Sequence, residues 1–286
     1  MPDRKQSGFT LIELSIVLVI IGLIVGGVLV GRDLIQAAAL RSTMSQMEQY
    51  NTAVNAFRLK YNCIPGDCQN ATQFLGQYSD CTVGQWTDYG LGNATCNGNG
   101  DGKITYTVDS PPINHWEYDE TVLLWQQLSQ TNLIKGKYTG VLEFGDTHVP
   151  NKNIPMTSIA NGCISIDSRF INAINAETPY SDMHSNYYIL GNAKTYNGTS
   201  ATWKGCVSGL YSLPASSAKN IDDKMDDGKP FSGTIQTPIT LYDGVWNNSG
   251  NTPPGCTNVT ALNIPTATYA SSVSSTACQL FIKAQF

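Results

Sequence analysis

The 286-residue chain carries 17 Lys+Arg against 22 Asp+Glu, a net charge of −5, with only 14% charged residues. That balance excludes nucleic acid as the main partner, and the length admits one large or two small domains. The eight cysteines are even in number, and all lie beyond residue 62.

The first eight residues form a short polar leader with Arg4 and Lys5, ending at Gly8. An apolar run follows to about Val30, long enough to cross a bilayer as a helix, for which about 20 residues are needed. One carboxylate, Glu13, sits inside it. Such a charge at the centre of a membrane helix costs roughly 2.5–3.5 kcal/mol on insertion scales, so it calls for a partner. An ordinary secretory signal has an apolar region of about 7–15 residues; Ala37-Ala38-Ala39 offers a cut site, but the run here is too long and carries a charge. A simple one-span anchor leaves Glu13 unexplained. The basic leader places the amino terminus in the cytoplasm and the rest of the chain outside.

The stretch Ser7-Gly8-Phe9-Thr10-Leu11-Ile12-Glu13-Leu14 resembles the prepilin signature of type IV pilins and type II secretion pseudopilins. The resemblance implies cleavage after Gly8 by a prepilin peptidase and N-methylation of the new terminus, Phe9. It also implies that Glu13 pairs with the Phe9 amine of a neighbouring subunit. Two groups that are each costly in lipid would neutralise one another as helices pack in register. The implied partners are other pilin subunits, the peptidase, the membrane and an inner-membrane assembly platform. The implied location is the bacterial inner membrane as a precursor, then a periplasmic or extracellular filament.

Between Phe9 and Tyr61 there is no proline and the periodicity is helical. After Arg32, Leu40, Met44, Met47, Val54, Phe57 and Tyr61 recur at helical spacing among polar residues, an amphipathic pattern that needs a sheet to cover it. The expectation is one helix over 9–61, roughly 80 Å long, with its transmembrane segment at 9–31. Gly22, Gly26, Gly27 and Gly31 set two G-x-x-x-G spacings suited to close helix packing, although glycine is also simply common in membrane helices.

Residues 62–286 are expected to form a head. In an exported head the cysteines read as disulfides, and eight of them allow 105 connectivities. The pairings favoured here are Cys63–Cys68, across the turn residues Ile64-Pro65-Gly66-Asp67, Cys81–Cys96, Cys163–Cys206 and Cys256–Cys278. The last resembles the disulfide-bounded carboxy-terminal loop of many pilins. None has zinc or redox C-x-x-C spacing.

Asn97-Gly98-Asn99-Gly100-Asp101-Gly102-Lys103-Ile104 resembles the first half of an EF-hand loop, with oxygens at alternate positions and a glycine for the sharp turn. Val108 stands where the bidentate glutamate belongs, so Glu120, or else Glu117, would complete the set. The candidate Ca²⁺ ligands are Asn97, Asn99, Asp101, the Lys103 carbonyl and Glu120, a structural site of weak, extracellular-type affinity. A plain Gly/Asn turn is the other reading of the same residues.

A second helix is expected over Asp119–Lys135, capped by Asp119 and stopped by Gly136, with Leu124, Trp125 and Leu128 inward. Strands are expected at Val141–Phe144, Gly162–Ile166, Asn186–Leu190 and Gly205–Val207, and a short helix at Ala218–Asp227. Asp222, Asp223, Asp226 and Asp227 could form a second cation site, but the favoured reading is a solvated helix end. The fold class is therefore α+β and type IV pilin-like: a long amino-terminal helix, half membrane and half amphipathic, packed on an antiparallel sheet head.

No G-x-S-x-G, Walker, G-x-G-x-x-G or H-E-x-x-H pattern appears, and His115, His148 and His184 are scattered, so no enzyme is expected. The expected function is a structural subunit of a type IV pilus or pseudopilus. The alternative is a minor or near-tip pilin acting as an adhesin or substrate-binding module; Trp86, Trp116, Trp203 and Trp246 would suit sugar stacking there.

Overall fold

The structure is a computed structural model that describes residues 10–77, 95–105, 120–140, 148–159, 162–168, 185–197, 202–207, 213–237, 256–258, 267–270 and 276–286. Helix α1 runs over Leu11–Tyr61, 51 residues without a break. Thr10 caps its start, and Asn62, in the left-handed conformation at φ 58°, ends it by returning its N–H to the Arg58 carbonyl. Arg58 and Lys60 in the last turn complement the negative end of the helix dipole.

The two halves of α1 differ as the patterning requires. From Leu11 to Val30 every large apolar side chain is exposed, and α1 is long and apolar enough to cross a membrane. Beyond Arg32, one face goes under the head: Leu40, Thr43, Met44, Met47, Tyr50, Ala53, Val54 and Phe57 are buried. Polar bonds fasten the edges of this contact. Gln36 donates to Ser217 Oγ at 2.9 Å, Ser42 and Ser158 share a bond of 2.7 Å, and Gln46 donates to the Met156 carbonyl at 2.8 Å. At the far end Asn55 donates to the Gln285 carbonyl and the Gln285 N–H to Asn51 Oδ1, both at 3.1 Å.

The head adds α2 (Ala71–Leu75), α3 (Glu120–Gln130), β1 (Gly162–Asp167), β2 (Tyr187–Asn197) and β3 (Thr202–Val207). After them come β4 (Leu213–Pro214), α4 (Ala215–Met225), β5 (Ile235–Gln236), β6 (Thr276–Cys278) and β7 (Leu280–Lys283). The main sheet has the order β1-β2-β7-β5, with β3 also paired to β2, and every pairing is antiparallel. Strands β4 and β6 make a separate ribbon. Side chains alternate across the sheet. Tyr188, Leu190, Leu280 and Ile282 enter the core with α1 and α3, while Tyr187, Ile189 and Phe281 form a small cluster of their own. The fold is α+β, consistent with a type IV pilin fold.

Several boundaries differ from the sequence expectation. Helix α3 stops at Gln130, not Lys135, because Asn132 adopts φ 56° and Leu133 N–H reaches back to the Leu128 carbonyl at 3.0 Å. That is a Schellman ending, for which asparagine serves in place of glycine. All nine residues from Glu120 to Leu128 are buried, so α3 is enclosed on every side, not on one stripe. Helix α4 begins at Ala215, directly after Pro214, and ends at Met225. Strand β2 continues past Leu190 to Asn197, and β3 opens at Thr202, because each supplies the other's partner there. The expected strand at Val141–Phe144 lies outside the described residues.

Two disulfides have both partners described: Cys63–Cys68, Cα atoms 5.3 Å apart, and Cys256–Cys278, 4.8 Å apart. Cys96 and Cys163 are also disulfide-bonded. Cys81 lies outside the described residues, as does the side chain of Cys206, so the pairings Cys81–Cys96 and Cys163–Cys206 remain expectations.

Candidate functional site

At the amino-terminal site, Gly8 and Phe9 lie outside the described residues. Thr10 and Glu13 form a reciprocal cap. The Thr10 N–H and hydroxyl both donate to Glu13 Oε2, at 2.8 and 2.7 Å, and the Glu13 N–H donates to Thr10 Oγ1 at 3.4 Å. This arrangement satisfies helix-end donors reciprocally and leaves Glu13 Oε1 open among the described residues. Gly22, Gly26, Gly27 and Gly31 have nothing within 4 Å of a Cβ built on them. The membrane half of α1 therefore offers smooth strips to another helix.

The second site is the loop 95–105. Its organising group is Asp67, which sequence reasoning did not select. Asp67 Oδ1 accepts the N–H groups of Gly100 at 2.5 Å and Asp101 at 3.1 Å, and Oδ2 accepts that of Gly102 at 2.8 Å. Glu120 completes the cage: Oε1 accepts from Asn99 N–H, and Oε2 accepts both the N–H and hydroxyl of Thr105, all at 3.0 Å. Asp67, Asp101 and Glu120 bring ligand oxygens within 4.8 Å of one another.

The side-chain oxygens of the other expected ligands each accept a backbone N–H. Asn97 Oδ1 accepts Thr72 N–H, Asn99 Oδ1 accepts Asp101 N–H, and Lys103 gives its N–H to Asp101 Oδ1. Asn99 and Asp101 thus make short-range turns, Asn97 ties the loop to the first turn of α2, and the carboxylates from outside the loop hold its centre. Burial pushes the Asp67 and Glu120 carboxyls up, against backbone bonds that act the other way. The signal available in the sequence was an Asp held rigidly inside a cysteine-bounded turn.

The second acidic group reads differently. Asp222 accepts the Tyr269 hydroxyl at 2.7 Å and Gly228 N–H at 3.1 Å, Asp226 accepts Ile235 N–H at 2.8 Å, and Asp227 accepts the Ser232 hydroxyl at 2.6 Å. These bonds knit the chain after α4 to the sheet; Asp222 is buried, not solvated as expected. Burial pushes its carboxyl up to about 6. The fold therefore favours the protonated form: that stability is full below the ordinary value of 3.8 and is lost as pH rises through about 6. His148, bonded to Thr121 Oγ1, has the opposite sign. Burial takes it down to about 4 from 6.5, so its contribution is lost as pH falls through that window. Asp222→Asn keeps an acceptor for Tyr269, and should abolish the Asp222 part of the profile. A Tm difference between the two proteins that changes between pH 3.8 and 6 is expected; parallel Tm profiles would rule out the titration.

Residues 3–29 match the family model for the prokaryotic N-terminal methylation motif. The chain carries the type IV prepilin-type signature. The matched segment covers the leader, Gly8, Phe9, the Thr10–Glu13 cap and most of the exposed apolar half of α1. Such a precursor is processed, and is membrane-anchored through its apolar amino-terminal helix. No curated protein and no solved structure matches the chain.

Proposed function

We propose that the chain is a structural subunit of a type IV pilus or pseudopilus. It is held in the inner membrane as a precursor, cut after Gly8 by a prepilin peptidase, methylated at Phe9 and assembled by packing of α1 against other subunits. The observation that carries this reading is the methylation motif over 3–29 continuing directly into a helix whose apolar half is uncovered. In the isolated subunit Thr10 shields one oxygen of Glu13; the other is available to the Phe9 amine of a neighbour. Mass spectrometry of purified filaments tests the reading: a methylated peptide beginning at Phe9 is expected, and a chain found only as a soluble protein trimmed near Ala39 would refute it. Replacing Gly8 by leucine should leave an uncut precursor in the membrane, seen as a slower band on a gel.

A minor or near-tip role as an adhesin or substrate-binding module is distinguished by abundance in sheared filaments, where a bulk subunit dominates and a minor one is barely detected. Structural Ca²⁺ is a second element of the proposal. It is supported by three carboxylates whose oxygens lie within 4.8 Å, two of them buried and without an ion pair among the described residues. Hard oxygen donors suit this cation, which would reverse the burial penalty on Asp67 and Glu120. Millimolar calcium should raise the Tm of the chelator-treated protein; an unchanged Tm would remove calcium from the loop.

A further inference from the structure

The geometry points to a redox catch: the Cys63–Cys68 disulfide, reachable from solvent through the cleft beside α1, holds Asp67 in place. Exchange with an external dithiol would release the loop segment 98–102 that Asp67 cages.

The cleft, about 890 Å³, lies at the end of α1 and is lined by Cys63 together with Arg58, Asn62, Asp67, Gly100 and Gly102, among others. Among the described cysteine side chains Cys63 alone is not buried; Cys68, Cys96, Cys163, Cys256 and Cys278 all are. An attacking thiolate needs access to one sulfur, and here the open cleft supplies it. Arg58, exposed and without a partner among the described residues, lines the same cleft and gives its wall a positive charge that would draw in an attacking thiolate.

The disulfide closes a turn of five residues' separation that also contains the Asp67 N–H bond to the Ile64 carbonyl at 3.1 Å. On one side Gly66 lies so close to α3 that a Cβ would stand 2.6 Å from the Glu120 carbonyl, and its N–H donates to Gln127 Oε1 at 2.7 Å. On the other side lies Gly98, where a Cβ would stand 2.4 Å from Asp67 Cα. Gly98 N–H donates to the Cys68 carbonyl at 2.8 Å. Four backbone donors of the loop, those of Gly98, Gly100, Asp101 and Gly102, thus end on Asp67 and Cys68. The loop has no strand or helix over this segment; its other holds from outside are the Asn99 N–H on Glu120 and side-chain donors from Gln69 to the Asn99 carbonyl and from Asn186 to the Gly102 carbonyl, none of which engages the Gly100, Asp101 or Gly102 amides. Ile104 and Thr105 are anchored separately, by Asn186 and Glu120, so release stays local.

The chemistry balances as thiol–disulfide exchange. A thiolate of the dithiol attacks Cys63 Sγ, the Cys63–Cys68 bond breaks, and Cys68 leaves as a thiolate that takes a proton from water. The second thiol of the reagent, once deprotonated, then displaces Cys63 from the mixed disulfide. The protein gains two thiols and the dithiol becomes a disulfide. A disulfide-bearing oxidant closes the catch by the reverse sequence.

The test uses the full chain in detergent micelles, dithiothreitol as the dithiol, alkylation to trap thiols and hydrogen exchange to read the loop. Cys63 and Cys68 should be alkylated at a dithiothreitol concentration about tenfold or more below that needed for Cys256 and Cys278, following accessibility. In the same samples exchange at Gly100, Asp101 and Gly102 should accelerate about tenfold or more, while Ile104 and Thr105 keep their protection. Opening of Cys256–Cys278 first, or unchanged exchange once Cys63–Cys68 is open, would overturn the inference. Asp67→Asn, with the disulfide intact, supplies a second arm. It removes the acceptor of Gly102 N–H and the charge behind the other two bonds, so the same three amides should exchange faster with no thiol released. Unchanged exchange in that variant would equally overturn the caging.

Discussion

Glu13→Ala should leave cleavage after Gly8 largely intact and lower incorporation into filaments by on the order of tenfold or more, a factor equivalent to ~1.4 kcal/mol per subunit. The reason lies in the balance of states. In the membrane before assembly, the carboxylate is costly even with the Thr10 N–H and hydroxyl on Oε2. Replacing it with alanine relieves that cost and, under the proposed pairing, would leave the neighbour's amine unpaired in the assembled helix bundle. Both changes act against assembly. Glu13→Gln separates the charge from the cap, because an amide oxygen can still accept from Thr10 but carries no charge. It should be processed like the wild type and assemble nearly as poorly as the alanine variant. Immunoblots of sheared filaments against membrane fractions measure both; wild-type levels of either variant in filaments would refute the charge pair.

Trp125→Ala should destabilise the head by about 3–5 kcal/mol, the range for truncating a large buried aromatic. Trp125 is 0% exposed, meets Tyr50 of α1 edge-on with centroids 4.9 Å apart, and lies 6.3 Å from the Tyr188 ring of β2. One side chain therefore joins the long helix, α3 and the sheet, and its removal opens a cavity at the point where three elements meet. Its indole Nε1 has no hydrogen-bond partner among the described residues, and an unpaired buried donor itself costs about 1–3 kcal/mol. Trp125→Phe removes that donor while keeping most of the ring, so its destabilisation should be much smaller. Denaturant titration of the two variants gives the comparison. Equal losses would mean that neither the ring volume kept by phenylalanine nor the removal of the unpaired donor matters, and would refute this account of the site.

The features legible in the sequence are those set by residues near one another in the chain. The leader, Gly8, Glu13 and the apolar run occur within thirty residues, and a break-free 3.6 periodicity carries α1 on to Tyr61. The change at Arg32 from apolar all round to one apolar face anticipated which half the head covers. The Cys63–Cys68 bond was readable for the same reason, since Pro65 and Gly66 sit between the partners. Glycine was expected to end α3, but an asparagine able to take a positive φ did so four residues earlier; many positions in this Asn-rich chain could have served.

What the tertiary structure alone decided concerns donors and acceptors far apart in sequence. The alternating oxygens of 97–101 suggested a loop turned inward on a cation. In the fold, the asparagine oxygens serve the backbone N–H groups of Asp101 and Thr72, and the centre is held by Asp67, thirty-odd residues upstream, and by Glu120. A backbone N–H has no sequence signature, so a loop defined by where its amides point cannot be read from its side chains. The same holds for Asp222, which looked like a solvated helix end until Tyr269 and Gly228 closed over it. Local periodicity wrote the handle of this protein; the long-range satisfaction of buried polar groups shaped its head.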